Sequence, residues 1–340
     1  MFKIQHVIKI LGGIVMKAIA LTHFGIPETL EELEIPIPAL TDTQVLVEMR
    51  ASSINPADSL IRSGAILQSP MAEKFQVPLP LVLGYDVAGV VKQVGDKVRH
   101  FKPGDRVMGI VPMGAYMDYV AVEEDHLAVI PESLSFEEAG ATPAVALTAW
   151  QALFEHGRLQ PGQRILIQAG AGGVGHAAVQ LAKQHGAYVI ATARDDNHDF
   201  VKGLGADEVI DYTKGDFAAQ IAKPVDIVLD TAMNPSTFGA GALGEIGEKN
   251  YSVIKDAGTY VSVVAFAGQF PQVRDIKAHF FQAQPNRTDL ESIVCHMQEN
   301  KLSIHINETY PFTAQGLLQA YRKSEELPKR GKIVISKSMG

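Results

Sequence analysis

Apolar positions divide the chain into two regimes. From Met16 to about Val129, short apolar or alternating runs fall at Lys17 to Leu21, Thr43 to Ala51, Asp86 to Val94 and Arg106 to Gly109. Turns rich in Gly and Pro separate them, as in Lys102-Pro103-Gly104-Asp105. Many short strands punctuated this way predict a compact β-rich domain, partly barrel-like. Ser63 to Pro80 lacks such patterning and reads as a long surface loop.

The pattern then changes. Ser135 followed by Glu137 and Glu138 predicts a capped helix start, with the helix continuing through Ala144 to about His156. Beyond it, apolar runs at Arg164 to Ala169, Tyr188 to Ala193, Glu208 to Asp211, Asp226 to Asp230 and Thr259 to Val264 alternate mostly with helical patterns. Ala278 to Ala283 offers a sixth strand. Strand–helix alternation predicts parallel βαβ units in a doubly wound sheet. From about Pro285 the pattern predicts a helix, a strand near Ile304 to Tyr310, a helix from Thr313 and a strand at Lys332 to Ile335.

Composition narrows the reading. A chain of 340 residues, 46% of them hydrophobic, supports a large core and two domains. The net charge of -8 gives no general attraction for nucleic acid or anionic membrane. Cys295 is the one cysteine, so neither an intramolecular disulfide nor a cysteine-rich zinc cluster can form. A reducing cytoplasm is the compartment this fits. Residues 1–15 carry a short apolar run interrupted by Gln5, His6 and Lys9. No small-residue cleavage site follows, so they read as an extension before Met16 rather than a secretory signal or a membrane span.

The central motif is Gln168-Ala169-Gly170-Ala171-Gly172-Gly173-Val174-Gly175, which follows an apolar strand and opens an amphipathic helix near Val174. In that context G-x-G-x-x-G is a dinucleotide-binding fingerprint. Gly170 permits the tight turn, Gly172 lets backbone approach a pyrophosphate, and Gly175 lets helix and strand pack closely. Free N–H groups at the helix start meet the anion. The next strand ends Ala191-Thr192-Ala193-Arg194-Asp195. Its offset from Gly170 puts Arg194 where NAD sites carry an acid, and a guanidinium there pairs with the 2′-phosphate of NADP(H). A register one residue later would instead face Asp195 to the ribose and select NAD.

These residues resemble the medium-chain dehydrogenase/reductase superfamily, over nearly the whole chain from Met16. The likeness is carried by Ser53-Ile54-Asn55-Pro56-Ala57-Asp58 with Arg62-Ser63-Gly64, and by Leu83-Gly84-Tyr85-Asp86-Val87-Ala88-Gly89. Lys102-Pro103-Gly104-Asp105-Arg106-Val107, Gly114-Ala115-Tyr116, Leu147-Thr148-Ala149-Trp150 and Gly331-Lys332-Ile333-Val334 extend it. The resemblance implies an α/β architecture with a GroES-like β-rich catalytic domain and a Rossmann doubly wound parallel sheet. The expected division is 16–135 for the first part of the catalytic domain, 136–285 for the Rossmann domain and 286–340 for the return to the catalytic domain. Zinc members carry a cysteine in the first segment and a histidine-glutamate pair in the second. This chain has Asn55 and Tyr85-Asp86 there, and the 11 histidines read as surface or packing residues. The likeness is therefore to the zinc-free quinone oxidoreductase branch, which implies hydride transfer from NADPH to a quinone or α,β-unsaturated carbonyl and a homo-oligomer, at least a dimer.

Candidate residues follow. Asn55 can donate to a carbonyl oxygen or to the cofactor ribose, or be a turn residue before Pro56. Tyr85 can donate to the substrate, stack on it or fill the vacated metal pocket. Asp86 reads as an anchor. The cofactor set is Thr148, Gly170, Gly172, Gly173, Val174, Gly175, Thr192, Arg194, Tyr212, Val264, Ala265 and Lys332. Thr148 can equally bond its own helix backbone, and Lys332 can be a solvated strand-end charge. Two rival readings remain: an enoyl thioester reductase, and a cofactor-binding regulatory or structural protein without turnover. There is no G-x-S-x-G elbow and no Walker A lysine motif.

Overall fold

The computed structural model describes residues 14–68, 78–233, 244–264, 270–326 and 330–337. Six parallel strands form the second-domain sheet. Across it they run Glu208–Ile210, Tyr188–Thr192, Arg164–Ile167, Val225–Asp230, Ile254–Ser262 and Lys277–Phe280. In chain order that is 3-2-1-4-5-6, the doubly wound order whose ligand crevice lies beyond the carboxyl ends of the strands at the point of reversal. Ile165, Leu166, Ile167, Val228 and Leu229 are buried, as a sheet covered on both faces requires.

The β-rich part holds a three-stranded sheet, Leu30–Pro36, Val15–Leu21 and Leu81–Val82, and a seven-stranded one. In the larger sheet Lys332–Ser336 pairs antiparallel with Gln44–Ser53, and Ile306–Pro311 pairs parallel with Lys332–Ser336. The last strand of the chain thus pairs with a strand from its first third. Tyr119–Glu123 pairs the other end of Gln44–Ser53.

The helix expected from Ser135 to His156 is broken. Ser135 caps Phe136–Ala141, accepting from the Glu138 N–H while the Glu138 carboxylate accepts from the Ser135 N–H. Pro143 lacks an N–H and starts a second helix, Pro143–Trp150, which runs into a π-helical turn, Gln151–His156. The fifth Rossmann strand starts earlier than expected, at Ile254. Residues 1–13, residues 69–77 of the Ser63–Pro80 loop and Ala265 lie outside the described residues. Among the described residues no helix is long and apolar enough to cross a membrane.

Candidate active site

The glycine turn has the geometry its sequence foretells. Gly172 is the N-cap of helix Gly173–Gln184, with Ala169 just before the turn at φ 52°. A Cβ at Gly175 would fall 2.2 Å from the Ala169 carbonyl oxygen, so only glycine lets the helix approach the strand this closely. A Cβ at Gly172 would meet only that same oxygen, at 3.2 Å. That side of the turn is open, and the first N–H groups of the helix lack intrahelical partners. A dinucleotide pyrophosphate fits this cradle.

Behind the turn, Thr192 is buried and acts as a brace. Its Oγ1 accepts from the Ala169 N–H at 3.0 Å and donates to Gln168 Oε1 at 2.6 Å, while its carbonyl accepts from the Gly170 N–H. Thr148 donates to the Ala144 carbonyl one turn back at 2.6 Å. Val264 is buried and its N–H donates to Ser262 Oγ; Tyr212 is about half exposed.

Lys332 enters from the catalytic sheet and meets the turn. A Cβ at Gly173 would lie 3.3 Å from Lys332 Cδ and 3.1 Å from Val145 Cγ1. The lysine is buried. It donates to Asn55 Oδ1 at 2.6 Å and to the Ile54 carbonyl at 2.9 Å, and its Nζ stands 3.8 Å from Asp86 Oδ2. Burial pulls its pKa down, opposed by the charges of Asp86 and Asp58. It is therefore a buried amine held by two acceptors and a nearby carboxylate, not a solvated strand end.

Asp86 is fully buried and committed on both oxygens. Oδ2 accepts from Ser53 Oγ at 2.5 Å and from Asn55 Nδ2 at 2.8 Å; Oδ1 accepts from the Ala144 N–H at 2.6 Å. Asn55 thus links Lys332 to Asp86 through both ends of its amide. Its own N–H is held by Asp58, which caps helix Pro56–Ser63 from within and also accepts from the Gly84 N–H and the Tyr116 hydroxyl. Burial pushes the Asp58 pKa up to about 7 against those donors. Tyr85, between Gly84 and Asp86, packs against both hydrophobic cores, and its burial raises the phenol pKa.

At the far end of the turn, Arg194 is partly exposed, its Nε 3.8 Å from Asp196. Asp195 is exposed and paired with Lys214 at 2.9 Å, and Lys214 also stands 3.5 Å from Asp211. Arg330 donates to Asn197 Oδ1 and the Asp196 carbonyl, its guanidinium over the Phe200 ring. Sequence reasoning missed Lys214 and Arg330. The hints were their places, two residues after Tyr212 and just before Gly331-Lys332. Among the described residues the one group able to converge on a cation is Asp195, His198 and Asp211. It lies at this end, where Lys214 already faces both carboxylates.

His176, on the turn helix, was not singled out by the sequence. It is fully buried, and desolvation pulls its pKa down to about 4 from the ordinary 6.5. The folded state thus resists protonating a ring that the unfolded chain protonates freely. The stability this contributes is present above pH 6.5 and is lost as pH falls toward 4, about 3 kcal/mol in all. His176→Phe is therefore expected to flatten the fall in thermal midpoint between pH 6.5 and 4. An unchanged slope would show that the ring titrates normally.

Comparison with known proteins agrees with this geometry. Residues 41–132 match the alcohol dehydrogenase GroES-like domain family, and residues 204–335 match the zinc-binding dehydrogenase family. The chain is 33% identical over 332 residues to the tomato (Solanum lycopersicum) 2-methylene-furan-3-one reductase, covering 94% of this chain and 79% of that one. It is 32% identical to the chloroplastic NADPH-dependent alkenal/one oxidoreductase of Arabidopsis thaliana, with the same coverage. The solved quinone oxidoreductase of Coxiella burnetii superposes with a TM-score of 0.83 at 34% identity, covering 95% of this chain and 99% of that one.

Proposed function

The chain belongs to the medium-chain dehydrogenase/reductase superfamily, among its quinone oxidoreductase-like members, and from that premise we propose that it transfers hydride from NADPH to a quinone or α,β-unsaturated carbonyl without a metal. The observation that carries this reading is the contact between the glycine turn and Lys332, which sets an anion cradle beside a buried lysine. Bound NADPH supplies the hydride from its nicotinamide ring. The open face of Gly172 and the N–H groups of Gly173 and Val174 hold the pyrophosphate. Arg194, with Lys214 and Arg330 nearby, meets the 2′-phosphate.

Zinc does not fit at Tyr85-Asp86. Asp86 has both oxygens occupied and Lys332 beside it, and Asn55 and Tyr85 are poor zinc ligands. Without a Lewis acid the acceptor must spread its own negative charge, as an enolate or hydroquinone anion does. The Lys332 ammonium offsets that charge in a low-dielectric pocket, with Asn55 and Asp86 fixing its position. Tyr85, next to Asp86 in the chain and kept protonated by its burial, is the candidate hydrogen-bond donor to the acceptor, and solvent delivers the final proton.

The test is an acceptor panel of quinones, enones, simple ketones and enoyl thioesters, run with NADPH and NADH in parallel. Quinones and enones are expected to consume NADPH and simple ketones to fail. Turnover confined to thioesters would favour the enoyl thioester reductase reading, and cofactor binding without turnover the regulatory one. Arg194→Ala is expected to raise KM for NADPH about tenfold while sparing NADH, the loss of a charge-assisted contact of about 1.4 kcal/mol. Equal loss with both cofactors would remove the 2′-phosphate role.

A further inference from the structure

The buried His176 has both ring nitrogens engaged, and the partners fix its tautomer. Nδ1 lies 2.8 Å from the Gly172 carbonyl oxygen, which can only accept, so Nδ1 carries the proton. Nε2 lies 3.2 Å from the His305 N–H, which can only donate, so Nε2 accepts. The carbonyl of His305 in turn accepts from the Lys332 N–H at 2.8 Å. One hydrogen-bonded chain therefore runs from the Gly172 carbonyl through the His176 ring and the His305 peptide units to the backbone of Lys332, whose ammonium holds Asn55.

The end of that chain at Gly172 matters most. The Gly172 carbonyl also accepts the His176 N–H at 3.0 Å, so two donors hold it along the helix axis. In a trans peptide the next N–H points the opposite way. Fixing the Gly172 carbonyl therefore aims the Gly173 N–H out of the helix end, toward an approaching anion. Gly172 and Gly173 carry no side chain to hold the peptide plane, so an external brace is the available means of doing so. A neighbouring tie lacks this reach. Gln180 bonds both the N–H and the carbonyl of Ser303, at 3.0 and 2.9 Å, fastening the same helix to the same loop without touching the turn.

We propose that His176 is a positioning residue that holds the pyrophosphate turn in its anion-binding form and locks it to the strand bearing Lys332. The proposal rests on the dinucleotide reading of the turn.

The experiment measures NADPH dissociation constants by fluorescence titration, kcat with an enone, and thermal midpoints. The proteins compared are wild type, His176→Phe, His176→Asn and Gln180→Leu. His176→Phe is expected to weaken NADPH binding about tenfold and to lower kcat. His176→Asn keeps an amide donor near the Nδ1 position but cannot reach His305. It is expected to recover most of the binding while kcat stays low. Gln180→Leu is expected to lower the midpoint with binding unchanged. If His176→Phe and Gln180→Leu behave alike, or if His176→Phe binds NADPH as wild type does, His176 is ordinary packing and the proposal falls. Wild-type protein that binds neither NADPH nor NADH would refute the dinucleotide reading itself, and the proposal with it.

Discussion

Lys332→Met is expected to cut turnover by two to three orders of magnitude and to destabilise the fold by about 3 kcal/mol. The substitution nearly conserves volume, so no large cavity forms. What it removes is the cation within 4 Å of a fully buried Asp86, together with the donor to Asn55 Oδ1 and the Ile54 carbonyl. Breaking a buried ion pair from one side leaves an uncompensated charge, which costs more than the intact pair contributes. Asp86 keeps its three other donors, which places the loss at the low end of that range. Adding Asp86→Asn should recover much of the stability, because the orphaned charge is gone, yet leave turnover low. A chemical-denaturation cycle over the two single variants and the double one measures the coupling. Additive stability losses would mean that the two groups do not interact in the folded protein.

The second expectation concerns two glycines three residues apart. Gly175→Ala places a methyl 2.2 Å from the Ala169 carbonyl oxygen and 3.0 Å from Gly170 Cα, both backbone atoms. Neither can rotate away, so the helix must separate from the strand, at a cost of about 3 kcal/mol or more. Gly172→Ala meets one oxygen at 3.2 Å with φ at −73°, a conformation any residue adopts. Its stability is expected to stay within about 1 kcal/mol of wild type. Its methyl, however, fills the open side of the turn where a pyrophosphate must approach. NADPH binding is expected to weaken about a hundredfold, or about 2.7 kcal/mol. One glycine thus serves packing and the other serves the ligand. Melting curves and NADPH titrations on both variants separate the roles. Unaltered binding in a folded Gly172→Ala protein would place the cofactor elsewhere.

Legibility in the sequence followed how local each signal is. The glycine turn was readable because strand, turn and helix start are contiguous, so the whole G-x-G-x-x-G pattern and its context fall in one short stretch of chain. Parallel strands in a doubly wound sheet followed from alternation; their order across the sheet did not, and comes from the fold. The Ser135–His156 helix was misjudged because Pro143 was read as part of a continuous apolar pattern rather than as a new first turn. The short edge strands Leu30–Pro36 and Leu81–Val82 are polar or brief and leave little periodicity. At the site, Lys332 and Asn55 were found through motifs, but their mutual bond was not, since 277 positions separate them. Asn55 was read as a donor to a substrate or the ribose or as a turn residue before Pro56; it is the N-cap of Pro56–Ser63, and its amide lies between Lys332 and Asp86. His176 and Arg330 escaped notice because their partners, His305 and Asn197, lie more than 120 positions away; Lys214 did because its pairing with Asp195 and Asp211 joins two separate strand ends.

The most direct test of metal-free hydride transfer uses NADPH deuterated at the transferring C4 position, with an enone, on protein dialysed against a chelator. Mass spectrometry of the product is expected to find one deuterium at the former β-carbon, at a rate the chelator leaves unchanged. A product without deuterium, or activity that vanishes on chelation and returns with zinc, would contradict the account.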